Sequence, residues 1–170
     1  MTAYVALLRA INVGGTGKLP MSELKRLCEA CGFGKVRTYI ASGNVVFESG
    51  ETEGAVKTAL EKALAAYAGR PMGLVVRSGA EMAQVAKDSP FAGKSATYTV
   101  AIFLDAPPPA DALEAMAGVA NEEVRLGTRE IYVWYPDGQG RSKLRIPAAK
   151  AGTARNMNTV AKLAEMAGDL

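Results

Sequence analysis

The stretch that decides the fold is residues 4–11, Tyr-Val-Ala-Leu-Leu-Arg-Ala-Ile, near the start of the chain. Its apolar residues run without alternation, which is typical of a strand that is buried on both faces. Arg9 interrupts this run, and a buried guanidinium is strongly destabilising unless it meets an anion or several acceptors. We therefore expect Arg9 to be largely buried and held by Asn12, by a nearby hairpin tip or by backbone carbonyls.

A small, polar and basic loop follows this strand. Residues 12–18 read Asn-Val-Gly-Gly-Thr-Gly-Lys and precede a helix expected at residues 20–31. Backbone N–H groups in a glycine-rich turn between a strand and a helix can bind an anion, and Lys18 would add a full positive charge. The loop is not a Walker A motif, because Leu19 stands where that motif needs Ser or Thr. The alternative is a long connecting turn without a ligand.

The two halves of the chain repeat one order of elements. In the first half, strands are expected at residues 4–11, 36–41, 45–48 and 74–77, and helices at 20–31 and 52–67, with one more helix at 80–87 between the halves. In the second half, strands are expected at 98–104, 122–126, 129–135 and 144–146, and helices at 110–119 and 156–167. The first half has the order β-α-β-β-α-β of the ferredoxin-like unit, and the second half begins with the same β-α-β-β. We predict an α+β fold of two tandem ferredoxin-like halves, residues 1–88 and 89–170, with mainly antiparallel sheets.

The amino-acid composition excludes several kinds of catalytic and metal-binding site. The 170 residues are 49% hydrophobic and 22% charged, as in ordinary soluble domains. The net charge of +3 is too low to make nucleic-acid binding the leading function. The chain has no histidine, which removes Ser-His and Cys-His nucleophiles and imidazole metal sites, and we predict neither a metal nor a cofactor. Cys28 and Cys31 are interpreted as small buried residues of a helix. The sequence shows no signal peptide or long apolar run, so we expect a cytoplasmic protein without a membrane partner.

A second basic segment surrounds the predicted start of the last helix. Arg155 lies beside this helix start, together with Asn156 and Asn158. The helix dipole disfavours a cation there unless an anion bridges it to the exposed N–H groups. The two asparagines could equally well cap the helix, although capping leaves Arg155 unexplained.

A hairpin tip is the third candidate. Ser42, Gly43 and Asn44 lie between two predicted strands, and as a turn they need no function unless the fold brings them beside Arg9. The register is ambiguous: a Ser-Gly turn would place Arg37 opposite Glu48, whereas a Gly-Asn turn has the better turn chemistry.

Aromatic residues suggest an alternative function. Tyr132 and Trp134 share one face of a predicted strand, and Lys143 and Arg145 are nearby in sequence. Aromatics on a ferredoxin-like sheet flanked by basic residues resemble surfaces that bind single-stranded RNA. The characteristic aromatic motif of such domains is absent, and aromatic residues are common in ordinary strands.

Four stretches of the sequence resemble one protein family. These stretches are residues 4–15, 18–24 (Lys-Leu-Pro-Met-Ser-Glu-Leu), 39–47 (Tyr-Ile-Ala-Ser-Gly-Asn-Val-Val-Phe) and 153–156 (Thr-Ala-Arg-Asn). They are similar to the domain of unknown function 1697 family of small bacterial proteins. The resemblance implies paired ferredoxin-like halves and brings no established activity. The recurrent motifs of the family fall on Arg9, Asn12, Gly14, Gly15, Lys18, Ser42, Gly43, Asn44, Arg155 and Asn156. The chain departs from the family at Ala10, where Gly is usual, and at Met157, where Trp is usual.

These observations predict one pocket around Arg9 for a small ligand that bears a phosphate or carboxylate. The predicted ligand-binding residues are Arg9, Asn12, Gly14, Gly15, Lys18, Ser42, Asn44, Arg155, Asn156 and Asn158. No general base is evident, so no catalytic residue is assigned and enzymatic activity stays open. Two alternatives remain, a nucleic-acid-binding protein that uses the sheet and a protein-interaction module whose arginines are purely structural. The sequence leaves the oligomeric state open.

Overall fold

The computed structural model describes residues 1–9, 19–40 and 43–170, which form a mixed α+β fold. These residues form two four-stranded antiparallel sheets and four α-helices. The strands are β1 Thr2–Leu8, β2 Gly34–Tyr39, β3 Asn44–Ser49, β4 Leu74–Ser78, β5 Thr99–Phe103, β6 Glu123–Leu126, β7 Glu130–Trp134 and β8 Thr153–Asn156. The helices are α1 Met21–Ala30, α2 Glu53–Ala68, α3 Gly79–Lys87 and α4 Met157–Gly168. Within the described ranges, no helix is both long enough and apolar enough to cross a membrane.

The described residues divide into two compact units. The first unit contains Met1–Gln84 and Lys162–Leu170, and the second contains Val85–Ala161. The end of α4 therefore belongs to the first unit. There Gly79 provides the space for close packing, because a Cβ on Gly79 would lie 2.9 Å from the Cβ of Ala167.

The first sheet has the strand order β2-β3-β1-β4, and β1 pairs antiparallel with both β3 and β4. The prediction of a central first strand is thus confirmed. Leu8 on one face of β1 packs into a core with Leu24 of α1 and Leu60 of α2, and Leu7 on the opposite face is equally buried. A continuous apolar run suits this position, because each fully buried aliphatic side chain contributes about 1.5–3 kcal/mol.

The β2–β3 hairpin has a register that neither sequence-based alternative gave. Tyr39 pairs with Asn44, which leaves residues 40–43 as the connection and places Arg37 opposite Val46. The expected contact between Arg37 and Glu48 is replaced by an ion pair of 3.2 Å between Lys35 and Glu48. The register set by the Tyr39–Asn44 pair explains the replacement, because it places Glu48 opposite the beginning of β2, two residues away from the partner of Arg37.

The second sheet has the strand order β6-β7-β5-β8, and here the sequence analysis missed one strand and overestimated another. The segment Thr153–Asn156, which was expected only to lie beside the start of the last helix, is an edge strand paired with β5 and directly precedes α4. The strand predicted at residues 144–146 is reduced to a single bridge between Arg145 and Ala117. In both cases pairing with a distant strand decides the structure, and such pairing has no local signal.

The helix predicted at residues 110–119 is also wrong, because this segment forms turns. Leu113 is 36% exposed, so the segment does not bury a continuous apolar stripe. Most helices in proteins depend on burying such a stripe.

Candidate functional site

Five of the ten predicted site residues lie within the described part of the chain, and these five are divided between the two units. Asn12, Gly14, Gly15, Lys18 and Ser42 lie outside the described residues. Arg9 and Asn44 belong to the first unit. Arg155, Asn156 and Asn158 belong to the second unit. The predicted convergence of all ten on one pocket stays a prediction.

The end of β1 brings Arg9 beside the hairpin tip. The backbone N–H of Leu8 donates to the carbonyl of Gly43 at 2.8 Å, and the N–H of Arg9 donates to the carbonyl of Gly73 at 2.9 Å. Gly43 lies just before β3 and Gly73 just before β4, so two flanking segments fix the backbone of Arg9. The tip and Arg9 are therefore neighbours, which was the condition for a functional tip.

The predicted burial of Arg9 is wrong, because its side chain is exposed. Strand β1 ends at Leu8, so Arg9 lies one residue beyond the buried run and its charge keeps its access to water. The side chain lies along the backbone of Gly73: a Cβ on Gly73 would come 3.0 Å from Cδ and 3.6 Å from Nη1 of Arg9. Arg9 also makes a further interaction. Gly73 thus provides the space in which the Arg9 side chain rests.

Asn44 holds the hairpin tip together. Its side chain is fully buried, and Nδ2 donates to the carbonyl of Tyr39 at 3.0 Å. This bond closes a connection that includes two residues in the left-handed region, Ile40 at φ 49° and Gly43 at φ 89°. A buried amide with a backbone partner favours a structural role for Asn44.

Arg155 lies in the second unit on the edge strand β8, opposite Ala101 of β5. Its Nη1 donates to the carbonyl of Ala154 at 2.9 Å, and the side chain makes further contacts. The residue is partly buried, and this burial lowers the pKa of the Arg155 guanidinium to about 10. A lowered pKa means that the surroundings disfavour the cation, and a nearby anion would offset that cost.

Asn156 caps α4, since its Oδ1 accepts a hydrogen bond of 2.9 Å from the N–H of Thr159. This confirms the capping interpretation for Asn156. Asn158 is exposed, and its Nδ2 donates to Oγ1 of Thr97 at 3.0 Å instead.

The aromatic residues of β7 differ in exposure. Tyr132 is buried, and its hydroxyl donates to the carbonyl of Val85 at 3.0 Å, so its ring is closed to a stacking base. Burial also raises the pKa of this phenol. Trp134 is partly exposed, and Nζ of Lys94 lies 4.2 Å from its ring centroid. Of the two aromatic residues on which the nucleic-acid hypothesis depends, Trp134 is therefore the one that is partly exposed.

A groove in the second unit escaped the sequence analysis. It has a volume of about 320 Å³, and its walls include Asn121, Glu122, Asp137 and Ser142. Asn121 donates to Asp137 at 2.8 Å, and Ser142 donates to Glu122 at 2.5 Å. The second bond holds the pKa of the Glu122 carboxyl below its usual range. These partners are 16 and 20 residues apart in sequence, so no local motif could have revealed them.

Comparisons with known proteins identify the family. The family model described as "Protein of unknown function (DUF1697)" matches residues 1–132, and the chain belongs to this family. This confirms the resemblance found in the sequence. The chain is also similar in structure to the conserved bacterial protein SP0830 from Streptococcus pneumoniae, with a TM-score of 0.82, 24% identity and coverage of 98% of both chains. At that identity the likeness shows a shared fold. None of the curated proteins matches the chain.

Proposed function

We propose that the protein binds a small anionic ligand, one that bears a phosphate or a carboxylate, at the end of β1. The observation that carries this proposal is the position of Arg9. Arg9 is exposed, its backbone is fixed by the carbonyl of Gly73, and its side chain rests against that glycine beside the hairpin tip. An arginine held in this way loses little conformational freedom on binding and offers a planar fork that matches carboxylate and phosphate oxygens.

Neighbouring segments supply further ligand groups in this proposal. Asn12, Gly14, Gly15 and Lys18 follow Arg9 closely in sequence and would add backbone N–H groups and a second cation. Ser42 precedes Gly43, whose carbonyl is bonded to the end of β1, and would add a hydroxyl. Asn44 would act by holding the tip. Arg155, Asn156 and Asn158 are retained as predicted contacts of the same class of ligand.

We propose that the protein binds the ligand, and we assign no chemical reaction to it. The chain contains no histidine, which excludes a histidine general base. The proposed setting is the cytoplasm, where small phosphorylated and carboxylated metabolites are abundant. We also interpret residues 1–88 and 89–170 as two ferredoxin-like halves, and the matching strand orders of the two sheets support this interpretation.

The test is a titration with inorganic phosphate and pyrophosphate, followed by thermal unfolding at constant ionic strength. A ligand at a hundredfold its dissociation constant stabilises the native state by about 2.7 kcal/mol. We expect stabilisation of the wild type and of Arg70→Met, which removes an equally exposed arginine of the same unit. We expect Arg9→Met to unfold at the wild-type temperature without ligand and to lose the effect of phosphate. Equal stabilisation of Arg9→Met and wild type would contradict the proposal and favour the interaction-module alternative.

A further inference from the structure

The groove of the second unit lies where the chain enters β6 and leaves β7. These two strands pair antiparallel with Glu123 opposite Trp134, so the segments before β6 and after β7 lie side by side at one end of the sheet. The first segment lines the groove with residues 118 and 120–122, and the second with residues 135, 137, 138 and 141–143. The groove volume of about 320 Å³ lies at the lower end of the range for small-molecule sites, roughly 300–1,000 Å³. Its size therefore suits a small compound.

The hydroxyl of Tyr135 is the group of this groove that the protein leaves unused. Tyr135 lines the groove and is only 6% exposed. None of the residues that the structure describes forms a hydrogen bond with its hydroxyl. Every fully buried side-chain nitrogen or oxygen in the described ranges has a partner, so this hydroxyl must reach the surface of the groove. Because buried tyrosines usually have a hydrogen-bond partner, the geometry reserves this one for a molecule in the groove.

The carboxylate of Glu122 lies close to this hydroxyl. Burial, together with the charge of Glu122, raises the pKa of the Tyr135 phenol, so the phenol stays protonated and remains a donor. The carboxylate of Glu122 accepts from the N–H of Ala120 at 2.8 Å and from the hydroxyl of Ser142 at 2.5 Å. A carboxylate can accept about four hydrogen bonds, so Glu122 keeps acceptor capacity for a ligand. The groove thus presents a free donor near an acceptor with capacity to spare.

The charges that line the groove cancel. Glu122 and Asp137 are negative, and Arg141 and Lys143 are positive. An anion would therefore approach two carboxylates, and a cation would approach two basic side chains. This balance gives neither kind of ion an electrostatic advantage and favours a neutral ligand.

An exposed aromatic ring adjoins the groove at Gly138. A Cβ on Gly138 would lie 3.6 Å from Cε1 and 4.0 Å from Cδ1 of Tyr98, so this ring lies against the backbone of the glycine. Tyr98 is 46% exposed, and its carbonyl accepts from the N–H of Tyr135 at 2.8 Å, which fixes the two tyrosines as neighbours. The electron-rich face of an aromatic ring packs well on C–H groups. The edge of the groove therefore offers a surface for the C–H face of a ligand.

We propose that this groove binds a small neutral polyhydroxyl compound, a sugar or a polyol. One hydroxyl of the ligand accepts from the Tyr135 hydroxyl and donates to the Glu122 carboxylate. A hydroxyl can do both, whereas an ammonium group has no lone pair and a carboxylate has no donor. Asn121 and Asp137, which are bonded to each other at 2.8 Å, provide polar partners for further hydroxyls. The site shares no residue with the anion site proposed at the end of β1.

The test is saturation-transfer NMR with D-glucose, D-ribose, myo-inositol and glycerol, each at millimolar concentration. Thermal unfolding is a poor readout here, because sugars also stabilise proteins by being excluded from their surface. We expect at least one of these probes to bind the wild type and to lose at least tenfold in affinity for Tyr135→Phe. This variant should be as stable as the wild type, because the lost hydroxyl bonds to no described residue. The matched control Tyr67→Phe, which changes an exposed tyrosine of the first unit, should bind the probe as the wild type does.

Several outcomes would overturn the inference. Equal affinity of Tyr135→Phe and wild type would show that the hydroxyl does not contact the ligand. Failure of all four probes to bind would mean that the hydroxyl meets only water. Preferential binding of methylammonium or acetate would overturn the assignment of a neutral ligand. Arg9→Met should bind the neutral probe with wild-type affinity, and a loss of binding in that variant would contradict a separate site in the groove.

Discussion

At the scale of single residues, the contact between Arg9 and Gly73 links the fold to the proposed function. The glycine carbonyl holds the arginine backbone, and the missing side chain of the glycine leaves room for the arginine Cδ. Small residues next to a binding side chain are ordinary parts of preorganised sites, because the position of that side chain depends on them.

Gly73→Ala should therefore weaken phosphate binding without lowering the stability of the fold. The added methyl would lie 3.0 Å from Cδ of Arg9, so the arginine must move by a few tenths of an ångström. We expect phosphate affinity to fall by up to about tenfold, which is about 1.4 kcal/mol. Stability should be unchanged or rise by up to about 1 kcal/mol, because alanine restricts the unfolded chain. The control Gly54→Ala adds its methyl to open space on α2 and should leave phosphate binding unaltered. Unchanged affinity in Gly73→Ala would show that the placement of Arg9 does not matter.

Cys28 gives a pH-dependent prediction at the same scale. Burial in the core raises the pKa of this thiol from 9.0 to about 12. The unfolded chain therefore releases a proton near pH 9 that the folded chain retains, and stability falls as pH rises from about 9 towards 12. The contribution of Cys28 is at most about 1.4 kcal/mol per pH unit.

Cys28→Ala removes this contribution. Denaturant unfolding of both proteins at pH 8 and pH 10 gives the comparison, and the wild type should lose more stability over this interval than the variant. Equal losses would mean that the Cys28 thiol ionises as readily in the folded state as in the unfolded chain.

At the scale of elements, the segment before β6 depends on one glycine. Gly118 has a φ of 72° and follows Ala117, which exchanges two backbone hydrogen bonds with Arg145. A Cβ on Gly118 would collide with the carbonyl oxygen of Lys143. Both the dihedral angle and the close approach require glycine at this position.

Gly118→Ala is expected to destabilise the second unit by about 2–4 kcal/mol, because it combines backbone strain with a backbone collision. Gly93→Ala, in a loop of the same unit with no atom near the added methyl, serves as the control and should change stability by less than about 1 kcal/mol. Chemical denaturation measures both values. A Gly118→Ala protein as stable as wild type would contradict the packing of this segment.

Elements with strong local patterns were predictable, and elements made by distant pairing were not. The apolar run before Arg9 gave the buried central strand, and the helical spacing of Leu24, Leu27 and Cys28 gave α1. The edge strand β8 has only four residues and owes its structure to β5. The predicted helix at residues 110–119 is replaced by turns, in which Ala112 and Met116 pack inward while Leu113 and Val119 stay exposed.

The candidate site was predictable only in part, for a related reason. The sequence analysis named the hairpin tip as a possible neighbour of Arg9, and the structure places Gly43 of the tip at the end of β1, since both belong to one sheet. The exposure of Arg9 did not follow, because β1 ends at Leu8, whereas the apolar pattern predicted a strand as far as residue 11.

At the scale of the whole molecule, the two sheets reuse one strand order. Shared strand order does not imply shared function, since a fold tolerates many functions through changes at a few positions. The end of β1 in the first unit and the groove in the second accordingly receive ligands of different charge in this account.

The most direct measurement of the central claim is a crystal structure of the wild-type protein grown with selenate, an anion similar to phosphate that can be located by the anomalous scattering of selenium. The account predicts a selenate within hydrogen-bonding distance of the Arg9 guanidinium, where Arg9 and its neighbours form the proposed site. Selenate bound at other basic surfaces, with the Arg9 guanidinium lacking any bound anion, would contradict it.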